Sequence, residues 1–387
     1  MRRVAVGQRA AARRWSALLP GATREMQPKT QRLADGVLDG NRTALSRSIT
    51  LVESTLKSDE EQAELLLDSV LAQRRSLKPT HVDSAGLTSF RLGIAGPPGA
   101  GKSTFIETLG QLLTAQGHKV AVLAIDPSSS RSGGSILGDK TRMEKLSNDP
   151  NAFVRPSPTR GTLGGVAQHT NDIVLLCEAG GYDIILVESV GLGQSEIVID
   201  DTVDMVMLLV PPAGGDELQG QKKGIVEIAD IVVVNKADGE LAGPAKHTAV
   251  DYMHAMHFIR RKDADWEPKV KMISSLENKG IDKVWAVIEE YRTTMGDLDK
   301  IAQKRNAQSS KWMWNQLNEQ LMRSVSRSAA VRHKADKMKE DLVHELPSRS
   351  NRRSVRASKN SVQGGPNALL NGRVWCLVSA GLIDGRA

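Results

Sequence analysis

Cysteine is scarce in this chain, and no apolar run is long enough to cross a bilayer. The 387 residues include two cysteines, Cys177 and Cys376, which excludes both a disulfide framework and a structural zinc set. Cys177 ends the apolar pattern Val174–Cys177, so we expect it to be a buried core thiol. Every apolar run falls short of the roughly 20 residues that a membrane-spanning helix needs. The sequence therefore predicts no membrane span.

Acidic residues are absent from the first 24 residues but outnumber basic residues in the body of the chain. The formal net charge is +7, yet residues 1–24 carry six arginines, and residues 323–387 carry 13 Lys and Arg against five Asp and Glu. Residues 25–322 therefore hold 33 basic and 40 acidic side chains. An acidic body argues against a nucleic-acid groove despite the basic isoelectric point.

The N-terminal segment is rich in arginine, free of acid and mildly amphipathic. These properties are typical of a mitochondrial transit peptide, so we predict one over residues 1–30 and a location in the mitochondrial matrix. The alternative is a disordered basic tail with no targeting role.

One stretch matches every fixed position of the phosphate-binding pattern GxxxxGK[ST]. A buried strand, Phe90–Ala95, precedes it, and a helix with apolar spacing follows from Phe105; this is the context in which the pattern is meaningful. In such a loop backbone N–H groups surround the β-phosphate, Lys102 reaches the β- and γ-phosphates, and the Ser103 hydroxyl ligates Mg²⁺. The sequence therefore predicts a nucleoside triphosphate site, with catalytic Lys102. Its residues are Gly96, Pro97, Pro98, Gly99, Ala100, Gly101, Lys102, Ser103 and Thr104.

A second motif indicates which base is bound. The strand Ile231–Val234 leads into Asn235, Lys236, Ala237 and Asp238, the NKxD pattern of guanine-binding GTPases. The Asp238 carboxylate can accept two hydrogen bonds from guanine, whereas adenine would leave it poorly paired. Another predicted strand, Lys269–Ile273, ends in Ser274, Ser275 and Leu276, which resemble the loop whose backbone supports guanine. We therefore predict GTP and GDP as the ligands.

Acidic residues follow two further strands. Asp126 comes after the apolar run Val120–Ile125, and Glu188 comes after Ile184–Val187; both suit Mg²⁺ binding and the orientation of water. Gly191 would allow its N–H to approach the γ-phosphate. Asp139 lies in the glycine-rich segment 133–142, whose composition fits a loop that orders around γ-phosphate and Mg²⁺. The predicted metal residues are Ser103, Asp126, Asp139 and Glu188, and the last three are also predicted to be catalytic; alternatively, Asp126 and Asp139 only cap helices.

The order of these patterns predicts an α/β fold: a doubly wound, mostly parallel sheet with helical extensions at both ends. We expect an N-terminal helical region and linker over 31–85 and a P-loop GTPase domain over 86–295. A C-terminal helical arm over 296–345 would follow, containing Trp312 and Trp314, which cannot share one helix face; one would pack on the core and the other would meet a partner or second subunit. Residues 346–387 have the composition of a disordered tail.

Eight sequence blocks together resemble the MeaB-like GTPases, which are related to signal-recognition and nickel-insertion GTPases. The resemblance covers roughly residues 30–325. The blocks are GPPGAGKSTFIE from Gly96, DPSS from Asp126, GGSxLGDKTRM from Gly133, RPSPTRGTLGG from Arg155, YDIILVESVGxGQSE from Tyr182, PPAGGDELQGxKxG from Pro211, NKAD from Asn235 and KWMWN from Lys311.

The resemblance implies a chaperone of methylmalonyl-CoA mutase that gates adenosylcobalamin delivery by GTP hydrolysis, protects the mutase and acts as a homodimer. Adenosylcobalamin would be met only through the partner enzyme, because the chain has no cobalamin-binding signature; His254 and His257 are expected to be helix-face residues. The segment Gly214–Gly224 resembles the extra switch through which the family signals to the mutase, although an ordinary strand–helix connection would look similar. The tail after Glu345 departs from the family's C-terminal arm.

Other functions remain open from the residues alone. A GTPase that inserts a metal such as nickel into another enzyme usually carries a His/Cys cluster, which this sequence does not show. A P-loop small-molecule kinase or a transport-associated ATPase would leave the NKxD motif unexplained.

Overall fold

The computed structural model describes residues 25–54, 56–76, 87–126, 143–158, 163–189, 199–212, 223–259, 261–327 and 333. The predicted tail and most of the predicted transit peptide lie outside these residues. Residues 1–315 form one compact unit and residues 316–387 a second. The first described helix begins at Pro28, inside the segment predicted as a transit peptide. In the described part of the chain, no helix is long and apolar enough to cross a membrane.

The centre of the first unit is a seven-stranded sheet. Its strand order is β3-β2-β4-β1-β5-β6-β7, and each neighbouring pair is parallel, which confirms the predicted fold class. The carboxyl ends of all seven strands therefore lie at one edge of the sheet. The strands are β1 (Phe90–Ala95), β2 (Val120–Asp126), β3 (Ala152–Pro158), β4 (Ile184–Ser189), β5 (Met205–Val210), β6 (Ile231–Val234) and β7 (Lys269–Met272).

Helices precede the sheet, connect its strands and follow it. Both predicted helical extensions are present in the described residues. The helices are α1 (Pro28–Leu38), α2 (Arg42–Val52), α3 (Lys57–Ser76), α4 (Lys102–Ala115), α5 (Glu144–Asn148), α6 (Leu163–Ala179), α7 (Lys223–Ile228), α8 (Ala242–Phe258), α9 (Ile281–Asp297) and α10 (Lys300–Arg327), with a short 3₁₀ turn at Gly239–Leu241.

Both faces of the sheet are covered because its strands are apolar on both sides. Leu92 of β1 packs in one cluster with Phe105 of α4 and Val284 of α9. On the opposite face, Val187 of β4 packs in a second cluster with helices α1, α2, α3 and α6. That cluster includes Cys177, which is fully buried as predicted, and burial raises the pKa of its thiol.

The N-terminal helices form because their apolar residues recur at helical spacing. In α2, Leu45, Ile49 and Val52 are buried on one face. The helix starts after Asn41, whose side chain accepts hydrogen bonds from the backbone N–H groups of Thr43 and Ala44 at 2.9 and 3.0 Å, as N-cap residues do. This helical layer covers part of the sheet face opposite α4.

Candidate functional site

The predicted phosphate-binding loop connects the end of β1 to the start of α4. Gly96 and Gly101 have φ values of +153° and +88°, which side chains rarely adopt. A Cβ on Gly96 would lie 2.0 Å from the carbonyl oxygen of Leu209, and one on Gly101 would lie 2.6 Å from Nδ2 of Asn235. The loop therefore needs glycine at both positions, and α4 begins with its N-terminal backbone directed at the loop.

Lys102 is the first residue of α4 and its ammonium group lies inside the loop. Its Nζ donates hydrogen bonds to the carbonyl oxygens of Gly96 (2.8 Å) and Pro97 (3.1 Å). Burial lowers its pKa, while the negative charge of Glu188 acts in the opposite direction. The loop therefore holds a partly desolvated cation, whose attraction for phosphate is stronger than it would be in water.

Asn235 joins the predicted base-binding motif to the phosphate-binding loop. Its Nδ2 donates to the carbonyl oxygen of Ala100 at 2.9 Å. Its Oδ1 accepts from the backbone N–H of Ser275 at 3.0 Å and from the Ser275 hydroxyl at 2.8 Å. Asn235 is almost fully buried, so these three contacts fix three loops at the same edge of the sheet.

Asp238 lies three residues further along the same loop. One of its carboxylate oxygens, Oδ1, is buried and accepts no hydrogen bond from the described residues, which is costly unless a ligand supplies the donor. The loop is held by the backbone N–H of Ala237, which donates to the carbonyl oxygen of Ile273 at 2.9 Å. Lys236 has a φ of +59° and an exposed side chain. An unpaired buried acceptor fits the N–H edge of guanine.

The predicted guanine-supporting loop is a closed turn. Ser274 and Lys279 exchange two backbone hydrogen bonds of 3.0 and 2.9 Å, and the Ser274 hydroxyl accepts from the N–H of Glu277. Ser274 and Ser275 are buried, whereas Leu276 is 83% exposed. The turn thus holds the Ser275 backbone rigidly beside Asn235 and leaves the Leu276 side chain accessible.

The predicted metal residues are only partly within the described residues. Ser103 and Glu188 are half-buried near the loop, and Glu188 is aligned with Ile94 at the end of β1. Asp126 is the last residue of β2, and its side chain is not described. Asp139, Gly191 and most of the predicted switch segment 214–224 lie outside the described residues.

Oxygen ligands at the phosphate-loop edge of the sheet suit Mg²⁺, which prefers carboxylate, hydroxyl and phosphate oxygens. In contrast, no group of three or more His, Cys, Asp or Glu residues able to hold a metal occurs among the described residues. His254 and His257 are exposed on α8, as expected for helix-face residues.

Two residues that support the site were not predicted from the sequence. The Thr108 hydroxyl lies 3.2 Å from the carbonyl oxygen of Ser275 and so links α4 to the guanine-supporting loop. Glu107 accepts hydrogen bonds from the backbone N–H groups of Lys145 and Leu146 at the start of α5. Glu107 ends the sequence block that begins at Gly96, but no role was predicted for it, and Thr108 lies just after that block. The roles of both residues depend on helix packing that has no local sequence signal.

Comparison with known proteins identifies the family. The model of the family described as methylmalonyl-CoA mutase-associated GTPase MeaB matches residues 45–330. The chain belongs to the MeaB family. Relatives that are named GTPases and the shared P-loop fold establish that this MeaB-family chain is a GTPase. Family membership implies binding of GTP and GDP.

Individual MeaB-family relatives extend over most of the chain. The mouse protein named methylmalonic aciduria type A homolog, mitochondrial, is 47% identical over 331 residues, which are 84% of this chain and 79% of that protein. The GTPase ArgK of Escherichia coli is 43% identical over 288 residues, covering 73% and 82%. A solved structure of a LAO/AO transport system kinase matches with a TM-score of 0.66 and 31% identity, covering 88% of this chain and 99% of that one.

Proposed function

We propose that this MeaB-family GTPase gates the loading of adenosylcobalamin into methylmalonyl-CoA mutase and protects that enzyme from inactivation. The family description and the name of the mouse relative support the partner and a mitochondrial matrix location. The observation that carries the GTP-dependent part is the buried, unpaired Oδ1 of Asp238 beside the phosphate-binding loop. The GTPase would contact adenosylcobalamin only through the mutase.

Different site residues would bind the phosphates, the guanine base and Mg²⁺. Backbone N–H groups of the loop and Lys102 would bind the phosphates, and Asp238 would bind guanine, with Asn235 and Ser275 positioning the loops. Ser103, Glu188, Asp126 and Asp139 would hold Mg²⁺, which when bound neutralises charge on the β- and γ-phosphates. Glu188 would also orient the attacking water, and Gly191 would contact the γ-phosphate.

We also propose the organisation predicted from the sequence: a transit peptide ahead of α1, a GTPase domain over 86–295 and a C-terminal arm over 296–345 that forms a homodimer. Two features of α10 support an interacting arm. Trp314 is 56% exposed, whereas Trp312, two residues earlier, is half-buried. An exposed tryptophan is an expected anchor for a second subunit.

The deciding experiment measures GTP hydrolysis by the full chain with and without purified methylmalonyl-CoA mutase, together with transfer of adenosylcobalamin to the cofactor-free mutase. We expect slow intrinsic hydrolysis, a marked increase with mutase, and transfer that stops with a non-hydrolysable GTP analogue. A hydrolysis rate that does not change when the mutase is added would reject the mutase as the partner, but it would not contradict the GTPase activity.

A matched variant tests the base-recognition step separately. Asp238→Asn exchanges a carboxylate acceptor for an amide, so the preference should shift from GTP toward xanthosine triphosphate, whose base presents an acceptor where guanine presents an amino group. Competition between the two nucleotides measures this shift. Unchanged discrimination would remove Asp238 from base recognition.

A further inference from the structure

The guanine-supporting loop after β7 is held by α4, the helix that begins at the phosphate-binding loop. The Thr108 hydroxyl of α4 lies 3.2 Å from the carbonyl oxygen of Ser275, although the two residues are 167 positions apart in the chain. No other donor to this carbonyl occurs among the described residues. Thr108 is therefore the residue through which α4 contacts the main chain of the loop.

The Thr108 hydroxyl has a second acceptor within reach, the carbonyl oxygen of Thr104 at 2.9 Å. That carbonyl lies one turn earlier in α4, where it already accepts the helical hydrogen bond from the backbone N–H of Thr108. The Ser275 carbonyl has no backbone donor among the described residues, and Ser275 is only 5% exposed. Since a buried carbonyl without a donor is costly, the hydroxyl contributes more at Ser275 than at Thr104.

The peptide unit that contains the Ser275 carbonyl also contains the N–H of Leu276. The two groups of a trans peptide point in opposite directions, so this N–H points away from α4. The N–H before it, that of Ser275, donates to Oδ1 of Asn235 at 3.0 Å. The N–H after it, that of Glu277, donates to the Ser274 hydroxyl at 3.1 Å. The N–H of Leu276 forms no hydrogen bond with the described residues, so of these three consecutive donors it is the one left for a ligand.

A free N–H in this loop complements one edge of guanine. Guanine presents the carbonyl oxygen O6 beside its N1–H, so the N–H of Leu276 can donate to O6 while the Asp238 carboxylate accepts from N1–H. The two loops are joined by the hydrogen bond from the N–H of Ala237 to the carbonyl oxygen of Ile273. Adenine presents an amino group at position 6 instead, which would place a donor against a donor.

We infer that Thr108 is a positioning residue for guanine recognition, because it holds the Ser275 carbonyl so that the N–H of Leu276 is directed at O6 of the base. Thr108 has this role only if guanine binds at the site proposed above. Lys102, the proposed phosphate-binding residue, is the first residue of the same helix. The helix α4 would thus position both ends of the nucleotide.

Two base analogues test position 6 separately from the amino group that Asp238 would bind. In 6-thioguanosine diphosphate a sulfur, which is a weaker acceptor, replaces O6, whereas inosine diphosphate keeps O6 and lacks the 2-amino group. Competition with a fluorescent GDP analogue measures the affinity of the full chain for GDP and for both analogues. The wild type should bind each analogue about 5-fold more weakly than GDP, the order of loss for one hydrogen bond.

Thr108→Val removes the hydroxyl at nearly constant side-chain volume. It should lower the preference for GDP over 6-thioguanosine diphosphate to about 2-fold or less. The preference for GDP over inosine diphosphate should stay at the wild-type value, because the 2-amino group would be bound by Asp238. Thr108→Ser keeps the hydroxyl and should restore the wild-type preference at position 6. A change that only destabilised the fold would weaken the binding of all three nucleotides equally.

Thr114→Val is the matched control, because it makes the same substitution in the same helix. The Thr114 hydroxyl donates within α4, to the carbonyl oxygen of Gln111 at 3.2 Å, so this variant should keep the wild-type GDP affinity and both preferences.

A Thr108→Val protein that kept the wild-type preference for GDP over 6-thioguanosine diphosphate would overturn the inference. Equal binding of these two nucleotides by the wild type would overturn it as well, because O6 would then meet no donor. Neither measurement involves the mutase, so either result leaves the proposed partnership to its own test.

Discussion

Replacing Asn235 by alanine should disconnect the guanine-binding loop from the phosphate-binding loop. The change removes one hydrogen bond to the Ala100 carbonyl and two from Ser275. Each net contribution is about 1 kcal/mol, and two backbone groups would also be left buried and unpaired. We therefore expect a loss of about 3 kcal/mol in the free energy of unfolding, together with GTP affinity lowered at least about 10-fold by the loss of preorganisation.

Urea unfolding and titration with a fluorescent GTP analogue measure the two effects of Asn235→Ala. Ser275→Ala is the matched control, because it removes only the hydroxyl hydrogen bond and keeps the backbone N–H on Oδ1. That variant should lose about 1 kcal/mol or less and retain nearly normal GTP affinity. If Asn235→Ala were as mild as Ser275→Ala, the link between the two loops would not be energetically important and the reasoning would be refuted.

Three further perturbations test other features of the structure. Lys102→Ala should lower GTP hydrolysis by at least about 100-fold without changing the circular dichroism spectrum; full activity in a phosphate-release assay would reject the loop assignment. Gly93→Ala should cost about 2 kcal/mol in chemical unfolding, because its Cβ would lie 2.8 Å from Val203, whereas helical Gly243→Ala, with nothing within 4 Å, should be neutral or stabilising. For Glu178, burial alone would raise the pKa, but the surrounding arginine charges outweigh it and lower the pKa. A carboxyl group whose pKa is lowered in the folded state stabilises the fold at pH values above its unfolded pKa of about 4.3, and this stabilisation is lost progressively at lower pH. Glu178→Gln should therefore be much less stable than wild type at pH 7, and thermal melts should show the difference in stability between the two proteins narrowing below about pH 4. A difference that stayed constant with pH would contradict the assignment.

The strands that surround the nucleotide site could be predicted because they are apolar on both faces. The runs leading to Ala95, Asp126, Glu188 and Asn235 all correspond to strands in the structure. The β3 strand gave no such signal, since its second half is Arg155-Pro156-Ser157-Pro158. It lies at the edge of the sheet, where proline is tolerated because one side of the strand has no partner to bond.

The motifs predicted which residues meet the nucleotide but not what holds those residues in place. The NKxD pattern identifies Asn235, whereas its partners are a backbone oxygen at Ala100 and a serine 40 residues later. Bonds to backbone atoms place no requirement on the identity of the residue that supplies them. For the same reason Thr108 and Glu107, which act on carbonyl and N–H groups of other loops, could be recognised only in three dimensions.

The pairing of Asp204 with Arg305 makes the stability of the sheet depend on α10. Asp204 immediately precedes β5, the neighbour of the central strand β1, and is fully buried. Its carboxylate accepts a hydrogen bond from the backbone N–H of Arg91, and its charge is balanced by a guanidinium 101 residues later in the chain. A buried carboxylate without its partner is strongly destabilising. A chain that ended after α9 would contain every predicted nucleotide-binding residue but would lack the guanidinium that balances this buried carboxylate, so we expect it to be much less stable than the full chain.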